Sequence, residues 1–411
     1  MSNAIMLIAI PIFFVLIFVE YLVAKRQHKE VYRLNDTIAN LNIGIGNQVI
    51  SVLSKGLIFG IIYWIYEHWA IWNIPVNVLS IFICFLLFDF IYYWAHRWGH
   101  KVNFFWGAHV VHHQSEEYNL SVALRQPWFH HLISFFLFLP LPLLGFNPLV
   151  IGGVSLFVTL YQFWIHTRTI KYMPRIIEFL FNTPAHHRVH HAINPDYIDK
   201  NHGAVLIIWD RIFGTFQAEK EEEVYGITTA LETFSPVLAN THYYTDLWKM
   251  MKDLNWKQRI KLLFAPPGWQ EGGRPVEELI KEVELDRAKY NPEVPLGFKA
   301  YAALQFVLIL WGSVAYLSNF ENLSLAHQVY FAALIILSLA ICSGILESKK
   351  WVYFAEYSRL LLVGVSLNAL YYFKYLDWFL VVLVASGIGL VLFYTWFSIS
   401  LGKNYRELLL R

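Results

Sequence analysis

Apolar residues in this chain gather in long blocks, not at the two-residue or three-to-four-residue spacing of half-buried strands and surface helices. The first block, Ile5 to Ala24, has the roughly 20 residues that a helix needs to cross a bilayer. Its basic residues Lys25, Arg26 and Lys29 come after it, whereas a cleaved secretion signal carries them in front. The block therefore predicts a retained span whose C-terminal end is cytoplasmic.

The following blocks pair into hairpins. Residues 43–66 and 77–95 are joined by Glu67–Pro75, a loop without Lys or Arg, and 129–144 joins 149–166 through a turn from Gly145 to Pro148. Further on come 299–318 with 328–346, then 358–373 with 377–401. Lys349, Lys350 and Arg359 separate these last pairs, and Lys403, Arg406 and Arg411 follow the final block, with Lys374 the main basic residue on the other side. The count predicts an all-α polytopic membrane protein of about nine spans, with its N-terminus outside and its C-terminus in the cytoplasm. The 43–66 block carries Lys55 at its middle and is expected to be the one re-entrant or broken segment.

Four segments follow from this pattern: an anchor and linker at 1–42, a membrane domain at 43–240, a linker at 241–297 and a C-terminal set of spans at 298–411. Within the linker, Asp246 to Phe264 alternates Leu247, Met250, Met251, Leu254 and Leu262 with Lys249, Lys252, Lys257, Arg259 and Lys261. Such a helix suits the anionic surface of the inner leaflet and equally suits packing against a cytoplasmic domain.

Composition agrees with the blocks: 57% of residues are hydrophobic and 15% charged, against about 25% charged in soluble domains. A net charge of +2 gives no basic footprint for nucleic acid. The two cysteines, Cys84 and Cys342, both lie in apolar blocks, so no disulfide framework or thiolate metal site is available.

Histidine changes the picture. Of 17 histidines, 13 lie between His96 and His202, about a quarter of the chain. Three clusters stand out: His96 with His100; His109 with His112 and His113; His187 with His190 and His191, preceded by His186. Residues three and four apart share a helical face, so each cluster points its rings together. Eight imidazoles exceed the four ligands of a structural zinc, and two metals sharing them is the economical arrangement. The donor set suits zinc, copper, iron or nickel. His28, His68, His242 and His327 are expected in loops or interfaces, and His130 and His131, which open a block, are expected to lie away from the metals. Asp89 sits within an apolar block, where an ionisable group points to function. It shares a helical face with His96 about 10 Å along the axis, and the expectation is that Asp89 accepts a hydrogen bond from an imidazole of another span.

These clusters, with Asn182-Thr-Pro-Ala-His-His-Arg-Val-His-His191, Asp199-Lys-Asn-His-Gly203 and Trp209-Asp-Arg-Ile-Phe-Gly-Thr-Phe216, resemble the fatty acid hydroxylase/sterol desaturase superfamily. The chain is most similar to its branch that oxidises alkylglycerol ether lipids. The resemblance, which covers residues 30–240 by motif, implies a di-iron oxygenase. Its eight iron ligands would be His96, His100, His109, His112, His113, His187, His190 and His191, under a cytoplasmic cap at 167–240. The superfamily often has another histidine pair before the third box, which here is Gln162 and His166. His166 becomes a ninth ligand, and Gln162 is expected to hydrogen-bond a metal-bound water or to orient an imidazole. Two departures are Lys101, where the branch carries an acidic residue, and His202, where a tyrosine is common.

The activity so implied is O2-dependent hydroxylation of a membrane lipid C–H bond. Beside an ether oxygen this gives a hemiacetal that collapses to a fatty aldehyde, with electrons from tetrahydrobiopterin. The alternative is an acyl-chain or sterol hydroxylase or desaturase served by a redox protein. A metal transporter would place its site near the bilayer midplane, and a zinc hydrolase would need fewer histidines. No residue is assigned to pterin, and the oligomeric state is left open.

Overall fold

The computed structural model describes residues 2–374, 379–402 and 405. Helices dominate, and the described residues contain no strand beyond two isolated bridges, Phe181 with Leu206 and Ala192 with Tyr225. The chain divides into two compact units, residues 1–232 with 238–290, and 233–237 with 291–411.

Five described helices are long and apolar enough to cross a membrane, where nine were expected: Leu34–Trp69, Val78–Lys101, Leu296–Asn322, Leu325–Ile345 and Val381–Ile399. The 129–144 block does not form one rod. It breaks into His130–Ser134, a 3-10 turn at Phe135–Phe138, and Pro140–Leu144, because Pro140 and Pro142 remove backbone donors. The Pro148–Trp164 helix has 17 residues, about 25 Å of rise against a hydrocarbon core of about 30 Å. The segment expected to be re-entrant is instead the longest helix, 36 residues from Leu34 to Trp69. Asp246 to Phe264 is likewise not one helix but the end of Pro236–Met250 followed by Trp256–Phe264. Asn255 makes the break by capping the second helix, accepting from the Gln258 amide. Lys403, Arg406 and Arg411 lie outside the described residues.

In the first unit the Val78–Lys101 helix packs on Pro148–Trp164, joined in one core by Cys84, Phe88, Ile151, Val154 and Val158. Gly145 turns the chain into the second of these helices at φ 103, where any Cβ would strike the Trp72 carbonyl at 1.8 Å. Glu20 and Glu356 are both buried. Glu20 accepts from Tyr32, Thr167 and the Leu120 amide, tying the Ser2–Arg26 helix to the segments beside the histidines.

The second unit is a chain of antiparallel neighbours, Leu296–Asn319, Leu325–Ile345, Val352–Lys374 and Phe379–Trp396. Its interior holds a polar network. Arg359 donates to both Glu356 oxygens at 2.6 and 2.7 Å and to Gln305 at 2.8 Å, and Tyr301 donates to Glu356. Such a pair persists in an apolar bundle because each charge neutralises and hydrogen-bonds the other.

Candidate metal centre

Nine buried imidazoles converge in two adjoining groups. One holds His96, His100, His109, His113 and His190; the other holds His112, His166, His187 and His191; in each, one nitrogen per ring lies within 4.8 Å of the others. The groups cut across the sequence clusters. His109 and His113 face one group while His112, between them, faces the other, and His187 and His191 part from His190 in the same way.

Local structure explains how so many rings are aimed inward. His96 and His100 sit one turn apart at the end of the Val78–Lys101 helix. The second cluster occupies a single helical turn, Val110–His113, with His109 at its N-cap. The third rides on Pro184–His191, begun by Pro184 and capped by Thr183. In that helix Arg188 points away, donating to the carbonyls of Ile170 and Lys171 and to Glu219 and Glu223. His186 also turns outward, toward Glu178 at 3.0 Å.

Backbone carbonyls fix the tautomers. The Nδ1–H groups of His96, His112, His166 and His190 donate to the carbonyls of His202, Arg125, Gln162 and Lys200 at 2.7–2.9 Å. Each Nε2 is then a bare acceptor facing the group. Burial, followed by neighbouring charges, lowers the His112 pKa to about 4 and holds His109, His113, His187, His190 and His191 well below the ordinary value. The rings are thus neutral and ready to ligate.

The nitrogens fit metal ions better than they fit each other. His112 and His166 have both committed their only proton to a carbonyl, yet their Nε2 atoms stand 3.1 Å apart. His187 Nε2 lies 3.1 Å from His166 Nε2, and His109 Nε2 lies 3.0 and 3.1 Å from those of His96 and His113. His100, His190 and His191 each leave Nε2 without a partner. Facing lone pairs repel unless a cation lies between them, and two nitrogens each about 2.1 Å from one ion, at right angles, stand about 3 Å apart.

Other expected residues fall differently. Asp89 reaches no imidazole. It accepts from the Val205 and Leu206 amides and the Trp209 indole at 2.9–3.2 Å, so it fastens the loop whose His202 carbonyl holds His96. The Gln162 side chain accepts from Tyr92 at 2.8 Å and donates to Val158; it is the main-chain carbonyl of Gln162 that orients His166. His130 and His131 belong to neither group. Lys101 pairs with Asp199 at 2.6 Å.

Three positioning residues carried no periodic signal in the sequence. Arg125 donates to Val111, Asn40 and Gln114 while its carbonyl holds His112. Asp210 accepts from the His202 and Gly203 amides. Asn201 donates to the His186 carbonyl. For Asn201 and Asp210 the available signal was the motif blocks 199–203 and 209–216 that contain them; Arg125 had none. A cavity of about 320 Å³ lined by Phe129, Asn240, Thr241, Tyr244, Thr245 and Trp248 touches none of the nine rings.

Apolar helices and two buried all-imidazole groups define a helical membrane protein with a site suited to redox metals. The fatty acid hydroxylase family model matches residues 81–215, which include all nine histidines. Alkylglycerol monooxygenase of Homo sapiens is 35% identical over 351 residues, 83% of this chain and 77% of its own, and that of Xenopus tropicalis is 33% identical over 75% of this chain and 69% of its own. Lathosterol oxidase of Mus musculus is 27% identical over 37% of this chain and 50% of its own. No solved structure matches the chain. The chain belongs to the fatty acid hydroxylase family, and it is a membrane lipid monooxygenase.

Proposed function

We propose that this protein is a di-iron monooxygenase that oxidises alkylglycerol ether lipids to a hemiacetal, and so to a fatty aldehyde, with tetrahydrobiopterin as reductant. The observation that carries the metal reading is the approach of His112 and His166, two bare Nε2 atoms 3.1 Å apart. The substrate reading rests on the alkylglycerol monooxygenases aligned over most of the chain.

His96, His100, His109, His113 and His190 would hold one iron, and His112, His166, His187 and His191 the other. Bound there, the irons supply O2 activation and attack on an unactivated C–H bond. The chain's own part is to aim donors, through carbonyls that occupy the Nδ1–H groups of His96, His112, His166 and His190, and to keep the rings neutral and exclude water by burial. The second group has one donor fewer than the first, because the Gln162 side chain is turned to Tyr92, and so offers the more open position. The lipid would meet the site from the bilayer, with its polar head at the interface. Basic residues at and just after the end of the first apolar helix, Lys25, Arg26 and Lys29, support a cytoplasmic site and an external N-terminus.

Purified protein supplied with a 1-O-alkylglycerol, O2 and tetrahydrobiopterin should release a fatty aldehyde, while the acyl ester analogue should not react. Turnover of an acyl or sterol substrate driven by a ferredoxin or cytochrome, without pterin, would replace the substrate assignment and leave the metal centre standing.

A further inference from the structure

Beyond the nine imidazoles, one more buried histidine has no hydrogen bond to its ring. His202 is fully buried and neither ring nitrogen has a hydrogen bond. The nearby Asp210 Oδ1, 3.8 Å from His202 Nδ1, is already occupied by the His202 amide and the Thr215 hydroxyl. A buried imidazole with both nitrogens idle is costly, so the surroundings of His202 ask for a ligand.

The backbone goes to some length to put this ring where it is. Asp199 and Asn201 both adopt left-handed conformations, at φ 60 and 55, although neither is glycine. Asn201 is pinned on three sides, its amide to the Thr215 carbonyl and its side chain to the carbonyls of His186 and Gln217. A side chain at position 203 would meet the Leu206 carbonyl at 2.5 Å, so only Gly203 permits the turn that follows. The outcome is that one donor atom each from His100, Asp199 and His202 comes within 4.8 Å of the others.

His100 is common to this trio and to the five-histidine group. Its Nδ1 faces Asp199 Oδ1 at 3.7 Å, and its Nε2 is buried and unpartnered. The outer side of the trio is accessible: Lys101, whose ammonium covers Asp199 Oδ2 at 2.6 Å, is 48% exposed.

We propose that His100, Asp199 and His202 form a loading site for a divalent transition metal, which enters at Asp199 by displacing the Lys101 ammonium and passes inward by way of His100. The inference rests on the nine histidines being the resident metal centre. Two imidazoles and a carboxylate suit iron, cobalt or zinc, and discriminate against calcium and magnesium, which prefer all-oxygen sites. Three protein donors hold a metal less firmly than five, which is what a transfer position requires.

The test is cobalt uptake by the full-length, metal-stripped protein in detergent, followed by the visible absorption of bound Co2+ and by final metal content. His202→Phe and Asp199→Asn should each slow uptake at least tenfold while reaching the final cobalt content of the unsubstituted chain. Lys101→Gln, which uncovers Asp199, should speed it several-fold, a gain that misfolding cannot produce. Unchanged rates in all three variants would overturn the loading site. A lower final content in His202→Phe would also overturn it, making His202 a resident ligand. Failure of the unsubstituted chain to bind cobalt at all would overturn the centre itself, and the loading site with it.

Discussion

His113 and His191 stack at 4.3 Å between ring centroids, with planes 21° apart, although they come from different sequence clusters and belong to different histidine groups. This contact joins the two groups into one unit, because a shift of either ring moves a donor of each. Loss at one group should therefore be felt at the other.

Purified protein should carry close to two metal ions per chain, iron when assembled in the cell. His113→Ala and His191→Ala should each lower metal content and activity together, with the loss extending to both ions. Metal analysis by mass spectrometry checks this; full activity in either variant, or a single ion in the unsubstituted chain, contradicts it.

Asp89→Asn replaces a carboxylate that accepts three hydrogen bonds, from the amides of Val205 and Leu206 and the indole of Trp209. The amide nitrogen would face donors, at a cost of about 1–3 kcal/mol. Because the loop supplies the His202 carbonyl to His96, metal affinity should fall about 10–100-fold. Competition with a chelator of known affinity would measure this, and affinity equal to that of the unsubstituted protein would remove Asp89 from the support of the site.

Acid should weaken the metal-free protein in a definite window. His112 in the folded chain has its pKa lowered by burial to about 4 from 6.5. Between those values the unfolded chain binds more protons than the folded one, so stability is retained above about pH 6.5 and falls as pH drops toward 4. Thermal unfolding of stripped protein in detergent across that range should show a falling midpoint, and His112→Phe should flatten the slope. A midpoint independent of pH would argue against buried neutral rings.

Membrane orientation can be checked separately. Reporters placed after Arg26 and at Lys220 should report the cytoplasm, and reporters within Glu67–Pro75 and within Asn319–Ala326 should report the outside. A cytoplasmic signal from the Asn319–Ala326 loop would refute the orientation proposed for the later spans.

The sequence by itself determined a helical membrane chain and, by spacing, eight of the nine histidines, while His166 came from the family resemblance; block length and local spacing are properties of neighbouring residues. In each cluster of three, the rings at i and i+4 share a group, and the ring at i+3 joins the other. What spacing left undecided is which ring serves which group: positions three and four apart differ by roughly 100° around a helix axis. His112 and His113 thus face apart, and only the packing of four separate segments settles what each one meets. Asp89 was legible as a buried charge, but its partners lie on a loop more than a hundred residues later. Gln162 was named for its side chain, yet what meets His166 is its main-chain carbonyl, which every residue type possesses. The expected hairpin at 129–166 failed because its hydropathy was sufficient while two prolines and its length were not. Local pattern fixes what a segment is, and long-range packing decides what its polar groups touch, because those partners are brought together only by the folded core.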